Sequence, residues 1–114
     1  MTTIYHNPRC SKSRQTLALL EERGIEPDVV RYLDNPLTVA ELKALLKKLN
    51  ISARQLLRAG EEEYRTLDLA NSSLSEKALL EAMAQHPKLI ERPIVVEGNK
   101  AALGRPPEAV LELF

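Results

Sequence analysis

The chain has 114 residues, enough for one hydrophobic core and too few for two domains of ordinary size. Sixteen Lys and Arg balance sixteen Asp and Glu, so no global field draws in nucleic acid or an anionic membrane, and any preference for an anion has to be local. A single cysteine excludes an internal disulfide and a cysteine-based zinc site, which fits a reducing compartment.

Thr2 to Tyr5 is β-branched and aromatic, which predicts a strand. The run from Thr16 to Leu20 predicts a helix from Ser11 or Ser13 to Arg23, stopped by Gly24. Between them lies His6-Asn7-Pro8-Arg9-Cys10-Ser11-Lys12-Ser13-Arg14, so the cysteine falls in a strand-to-helix turn. There the first-turn amides lack intrahelical partners and the helix dipole adds partial positive charge, and both favour a thiolate. Arg9, Lys12 and Arg14 add formal charge. The same amides and cations suit a bound oxyanion, which makes Cys10 a candidate nucleophile seated in an anion site.

Pro27 to Leu33 predicts a second strand, and strand, helix and strand in this order imply a βαβ unit with parallel pairing. Asp34-Asn35-Pro36 breaks the pattern; Thr38 and Glu41 have capping-box spacing, and Leu42, Leu45, Leu46 and Leu49 follow along one helix face. Ser52 and Gln55 repeat the capping box and open a short helix expected to run to Gly60. Glu61, Glu62 and Glu63 read as a solvated helix start or loop, since no histidine stands near to make them a metal site. A further helix is expected from Ser75 to Gln85, with Leu79, Leu80 and Met83 inward, and His86 before Pro87 reads as structural. Beyond Pro93, Ile94 to Val96 and Lys100 to Leu103 are joined through Gly98-Asn99, a hairpin signal, and Pro106-Pro107-Glu108 opens a last helix from Ala109 to Phe114. The fold class expected is α/β, a small mixed β-sheet with a helical insertion, at about residues 38–86, between the βαβ and ββα halves of one domain spanning 1–114.

The element order, the thiol in the first turn and an Arg-Pro before a late strand together resemble the thioredoxin-like fold. More narrowly, His6 to Arg14, Leu56-Leu57-Arg58, Glu91 to Val96 and Gly104-Arg105-Pro106 are similar to the ArsC family of glutaredoxin-linked arsenate reductases, in its shorter branch. The resemblance implies that Cys10 is the catalytic nucleophile and that Arg58, Arg92 and Arg105 grip the oxyanion. It further implies that His6, Ser13 and Arg14 shape the active-site loop and that Pro93 is the cis-proline beside the thiol. Ser11-Lys12 stands where longer members have Gly-Thr. The residues support the arginine assignment in their own right, since a planar guanidinium fork fits a tetrahedral oxyanion and Arg92 and Arg105 flank the expected hairpin. Arg23, Arg31, Arg54 and Arg65 read as surface residues in solvated ion pairs.

Position 13, where a dithiol motif would carry its second cysteine, is Ser13, so the pattern is C-x-x-S and any resolving thiol has to come from outside. The resemblance implies glutathione as co-substrate and glutaredoxin as partner, with arsenate reduced to arsenite and no cofactor bound. A cysteine-based phosphatase would need an arginine six residues after the nucleophile, and that position is Thr16. The other readings are a glutathione-dependent thiol oxidoreductase acting on another substrate and a non-catalytic, Spx-like regulatory binding protein. With no signal-peptide core and no membrane-length apolar run, the expectation is a soluble, cytoplasmic monomer that binds neither nucleic acid, membrane nor metal.

Overall fold

The β-branched opening forms strand β1 (Thr2–Tyr5), in which Thr2 and Ile4 face the interior while Thr3 and Tyr5 are half-buried. The computed structural model describes residues 2–114. They divide into two units, one made of the chain up to Asn35 together with Arg92–Phe114, the other of Pro36–Glu91.

In the first unit, β1 leads to helix α1 (Ser11–Glu22) and strand β2 (Asp28–Val30), and the chain returns as β3 (Ile94–Glu97) and β4 (Lys100–Leu103). The sheet order is β2-β1-β3-β4, with β1 parallel to β2 and antiparallel to β3, and β3 antiparallel to β4. This is the mixed sheet expected from sequence. Fully buried Ile4, Leu20, Val95 and Val110 form its core, with Leu17, Ile25, Ala102 and Leu113 packed against them. Each such aliphatic side chain contributes about 1.5–3 kcal/mol when removed from water. At the hairpin, Glu97 pairs with Lys100 and Gly98 has φ +59°, a conformation in which a Cβ would be strained.

Two elements of this unit differ from expectation. Strand β2 ends at Val30 rather than Leu33, because the carbonyl of Arg31 accepts from the amides of Asp34 and Asn35, both at 3.0 Å, and turns the chain. The C-terminal segment is a 3₁₀ helix over Pro107–Leu113 rather than an α-helix from Ala109. A 3₁₀ helix eclipses positions three apart, and Pro107, Val110 and Leu113 have that spacing; the first two are buried and the third half-buried.

The register decides where the functional segments emerge. Tyr5 lies opposite Val30 on one side and Ile94 on the other, and Ile94 lies opposite Leu103. The loop after β1, the turn after β2, the residues before β3 and those after β4 therefore share one end of the sheet.

The second unit is helical: α2 (Val39–Leu49), α3 (Ala53–Leu56), α4 (Glu62–Thr66) and α5 (Glu76–Gln85). Both capping boxes form, Thr38 with Glu41 and Ser52 with Gln55, and Ser75 caps α5. Helix α3 stops at Leu56, short of the expected Gly60. Leu57 instead bridges Ile90, with the Arg58 amide donating to Leu89 O at 2.8 Å and the Glu91 amide to Leu56 O at 2.9 Å. Glu76 accepts from the Ala53 amide at 2.9 Å, and Arg54 donates to the carbonyls of Leu69 and Asn71, so Arg54 pins a loop rather than forming a solvated ion pair. Glu61 precedes α4 and Glu62 and Glu63 lie in its first turn. Among the described residues no helix is long and apolar enough to cross a membrane.

Candidate active site

The His6 amide donates to Val30 O at 2.8 Å, prolonging the β1–β2 pairing by one residue before the chain turns. Asn7 then organises the loop. Its side-chain oxygen accepts from the Arg9 amide at 3.0 Å, its carbonyl accepts from the Cys10 amide at 3.0 Å, and its own amide donates to Ser13 Oγ at 3.0 Å. Arg14 closes the loop from the helix side, donating through Nη1 to Pro8 O at 2.9 Å. Cys10 is the N-cap residue of α1, with extended φ and ψ of −94° and 123°, and its carbonyl accepts from the Arg14 amide.

Ser13 is fully buried and its hydroxyl lies 2.6 Å from His6 Nδ1. It thus ties the end of β1 to the first turn of α1. Burial lowers the His6 pKa, and the charges of Arg31 and Arg14 lower it further, so the ring is neutral at pH 7. The unfolded chain takes up this proton first on acidification. Stability should therefore fall as pH drops below about 6.5 and level off below the depressed native value. Urea midpoints measured against pH should show this slope, and it should flatten in His6→Asn.

The half-buried Cys10 sulfur feels opposing influences. Burial pushes the thiol up, but hydrogen bonding from the Ser13 amide, from the Arg92 side chain and from the Lys12 amide, together with the Arg92 charge, outweighs it and leaves the pKa below its ordinary value. The two amides are unpaired first-turn donors of α1, and the guanidinium arrives from Arg92, two residues before β3. Alkylation by iodoacetamide should show a midpoint below the roughly 8.5 of a free cysteine. A midpoint at or above that value would contradict the geometry.

The Arg92–Pro93 peptide is cis, and so is Arg105–Pro106, which the sequence did not suggest. Arg105 Nε donates to Arg92 O at 3.0 Å, placing a second guanidinium on the backbone of the first. Cys10, Arg92, Arg105, His6, Ser13, Arg14 and Pro93 thus lie in the first unit, at the shared end of its sheet. Arg58 belongs to the second unit, where it pairs with Glu61 at 3.4 Å and Glu91 at 3.7 Å.

Sequence reasoning missed three residues that hold this site. Asn7 is one, legible afterwards as an Asx turn before a helix. Thr16 is fully buried and donates to Lys12 O at 2.8 Å, so the position where a phosphatase would carry its arginine is an interior one. Gly104 is the third: a methyl group there would lie 2.5 Å from Thr16 Oγ1 and 2.6 Å from Pro93 Cγ, and its amide donates to Pro93 O at 2.9 Å. Gly104→Ala should cost about 1–3 kcal/mol in urea unfolding as overpacking, and should raise the Cys10 alkylation midpoint by displacing the Arg92–Pro93 turn. An unchanged urea midpoint would show that the approach is not tight.

A thiol at a helix N-terminus, below its ordinary pKa and beside the half-buried Arg92, has the chemistry of a nucleophile. The ArsC family model matches residues 5–113, the whole of this constellation and nearly all of the chain. The chain belongs to the ArsC family. Its α/β architecture is the thioredoxin-like fold of ArsC structures: the arsenate reductase from Vibrio cholerae superposes with a TM-score of 0.97 at 55% identity, covering 99% of this chain and 97% of that one. The arsenate reductase of Haemophilus influenzae is 53% identical over 112 residues, 97% of each protein, and the uncharacterized protein YfgD of Escherichia coli is 61% identical over 111 residues, 96% of this chain and 93% of that protein.

Proposed function

We propose that this chain is an arsenate reductase that works with one nucleophilic cysteine and takes its reducing thiols from solution. The observation that carries the proposal is the Cys10 sulfur, held below its ordinary pKa by first-turn amides and by Arg92. The similarity to proteins named arsenate reductase supports the choice of oxyanion.

In the first step the Cys10 thiolate attacks arsenic, a sulfur–arsenic bond forms, and an arsenate hydroxyl leaves as water after taking a second proton from solvent. Arg92 stabilises the charge on the remaining oxygens, with Arg105 beside it. Ser13 cannot resolve this adduct, because it is a hydroxyl and is committed to His6 and Asn7. A glutathione thiolate therefore attacks the Cys10 sulfur, a disulfide forms, and the electron pair of the sulfur–arsenic bond passes to arsenic, which leaves as arsenite. Glutaredoxin then reduces the mixed disulfide by thiol exchange.

The test is arsenate-dependent NADPH oxidation in the presence of glutathione, glutaredoxin and glutathione reductase. Turnover should need all of them. If arsenate supports none while glutaredoxin still reduces a glutathione adduct of Cys10, the oxyanion is wrong and the protein is a thiol oxidoreductase of another substrate.

A further inference from the structure

At the end of the sheet where β1 and β2 stop, a cavity of about 160 Å³ is lined by His6, Asn7, Arg9, Arg31, Leu33 and Asp34, among others. Cys10, Arg92 and Arg105 are not in its wall, so it is distinct from the space beside the sulfur. It is nevertheless next to it along the chain, because the Cys10 amide bonds Asn7 O and the cavity wall is the loop that carries the thiol.

The chemistry of the lining is mixed in a particular way. Arg9 and Arg31 bring two guanidinium groups and Asp34 one carboxylate, with Arg31 Nε 3.2 Å from Asp34 Oδ2. Both members of that pair are more than half exposed, so the pair itself adds little to stability. The field of Arg31 reaches into the cavity, since it helps to hold His6 neutral. His6 therefore adds no charge. A simple anion would meet Asp34 and a simple cation would meet two arginines. A group carrying a carboxylate and an ammonium on one carbon satisfies both signs, the carboxylate on a guanidinium fork and the ammonium on Asp34. Exposed Leu33 offers apolar surface for the methylenes that follow such a head. At about 30 Å³ per water the volume holds an amino-acid head but not a tripeptide.

We propose that this cavity binds the zwitterionic α-amino-acid head of the thiol co-substrate, the γ-glutamyl end of glutathione, and so aims its sulfur at Cys10. The γ-linkage leaves the α-amino and α-carboxylate groups free at one end of the tripeptide, with the thiol further along, whereas the glycyl end carries a carboxylate alone. This rests on glutathione being the external thiol of the proposed function, and it assigns to Arg31 and Asp34 a role beyond a surface ion pair.

The experiment compares two disulfides as reagents for Cys10, with the adduct followed by mass spectrometry. In each case the thiolate attacks one sulfur, a mixed disulfide forms, and the other half leaves as a thiolate. Glutathione disulfide carries the head group; 2-hydroxyethyl disulfide does not. Arg31→Ala and Asp34→Asn should each slow the reaction with glutathione disulfide by about tenfold relative to 2-hydroxyethyl disulfide. The disulfide of γ-glutamylcysteine should behave like glutathione and that of cysteinylglycine like the hydroxyethyl reagent. If both reagents react and the substitutions leave the ratio of their rates unchanged, the head-group site is overturned and the proposed function stands. If Cys10 reacts with neither, the thiol chemistry of that function fails and the head-group site fails with it.

Discussion

Cys10→Ser protein is expected to show no arsenate-dependent NADPH oxidation above background, a loss of at least about 10³-fold. The site favours ionisation of a thiol by hydrogen bonds from the Ser13 amide and the Arg92 side chain, but these same contacts act on a group whose ordinary pKa is already within reach of neutrality. A serine hydroxyl starts far higher and stays protonated, and it can form neither the sulfur–arsenic bond nor the disulfide that returns electrons to the site. Because Cys10 is half-buried and is held through its backbone, its replacement should leave the urea midpoint close to that of the parent. Residual turnover that tracks the protein concentration would place the reacting group elsewhere.

Arg92→Ala should have the next largest effect. The substitution removes a side-chain hydrogen bond to the sulfur and a nearby positive charge, so the alkylation midpoint of Cys10 should rise toward that of an ordinary cysteine. It also removes the fork proposed to stabilise oxyanion charge, and loss of one such donor typically costs about 10²–10³-fold in turnover. Arg92→Lys separates the two contributions. A lysine restores the charge and should bring the midpoint partly back, yet it presents no planar fork and should leave most of the lost turnover unrecovered. If Arg92→Ala retained kcat/KM within about threefold of the parent, the arginine grip would be wrong, whatever happened to the thiol.

The sequence carried the local structure well where the signals were local. Two capping boxes, the Gly98-Asn99 turn and the first helix, observed over Ser11–Glu22, are written in residues that touch each other. It misjudged elements whose limits are set by distant partners. The apolar run at Val29 to Leu33 reads as a strand throughout, but the Arg31 carbonyl is taken by a turn; Leu57 leaves its helix because Ile90 offers a bridge thirty-odd residues away, a pairing with no local signature. The thiol itself was legible from its basic, polar neighbours. Arg92 and Arg105 could be suspected from their place at either end of the hairpin, but their grouping with the thiol rested on family resemblance, because a guanidinium's position depends on the register of strands far apart in the chain. Thr16 and Gly104 were invisible for a related reason: each is conspicuous only once the other and Pro93 are within contact distance.

The pairing of β1 with β3 sets Thr2 against Glu97 and Tyr5 against Ile94, so the first strand completes its inner edge with residues far along the chain. Closing such a long loop is slow compared with forming a helix. On a ribosome, Cys10 emerges early and α1 can form behind it, yet the guanidinium that acts on the sulfur belongs to residue 92 and arrives only with β3. Until residue 92 is in place, the thiol lacks that hydrogen bond and that charge. The sulfur gains its Arg92 contacts only when the sheet closes, so the rate of alkylation should serve as a clock for that long-range step of folding.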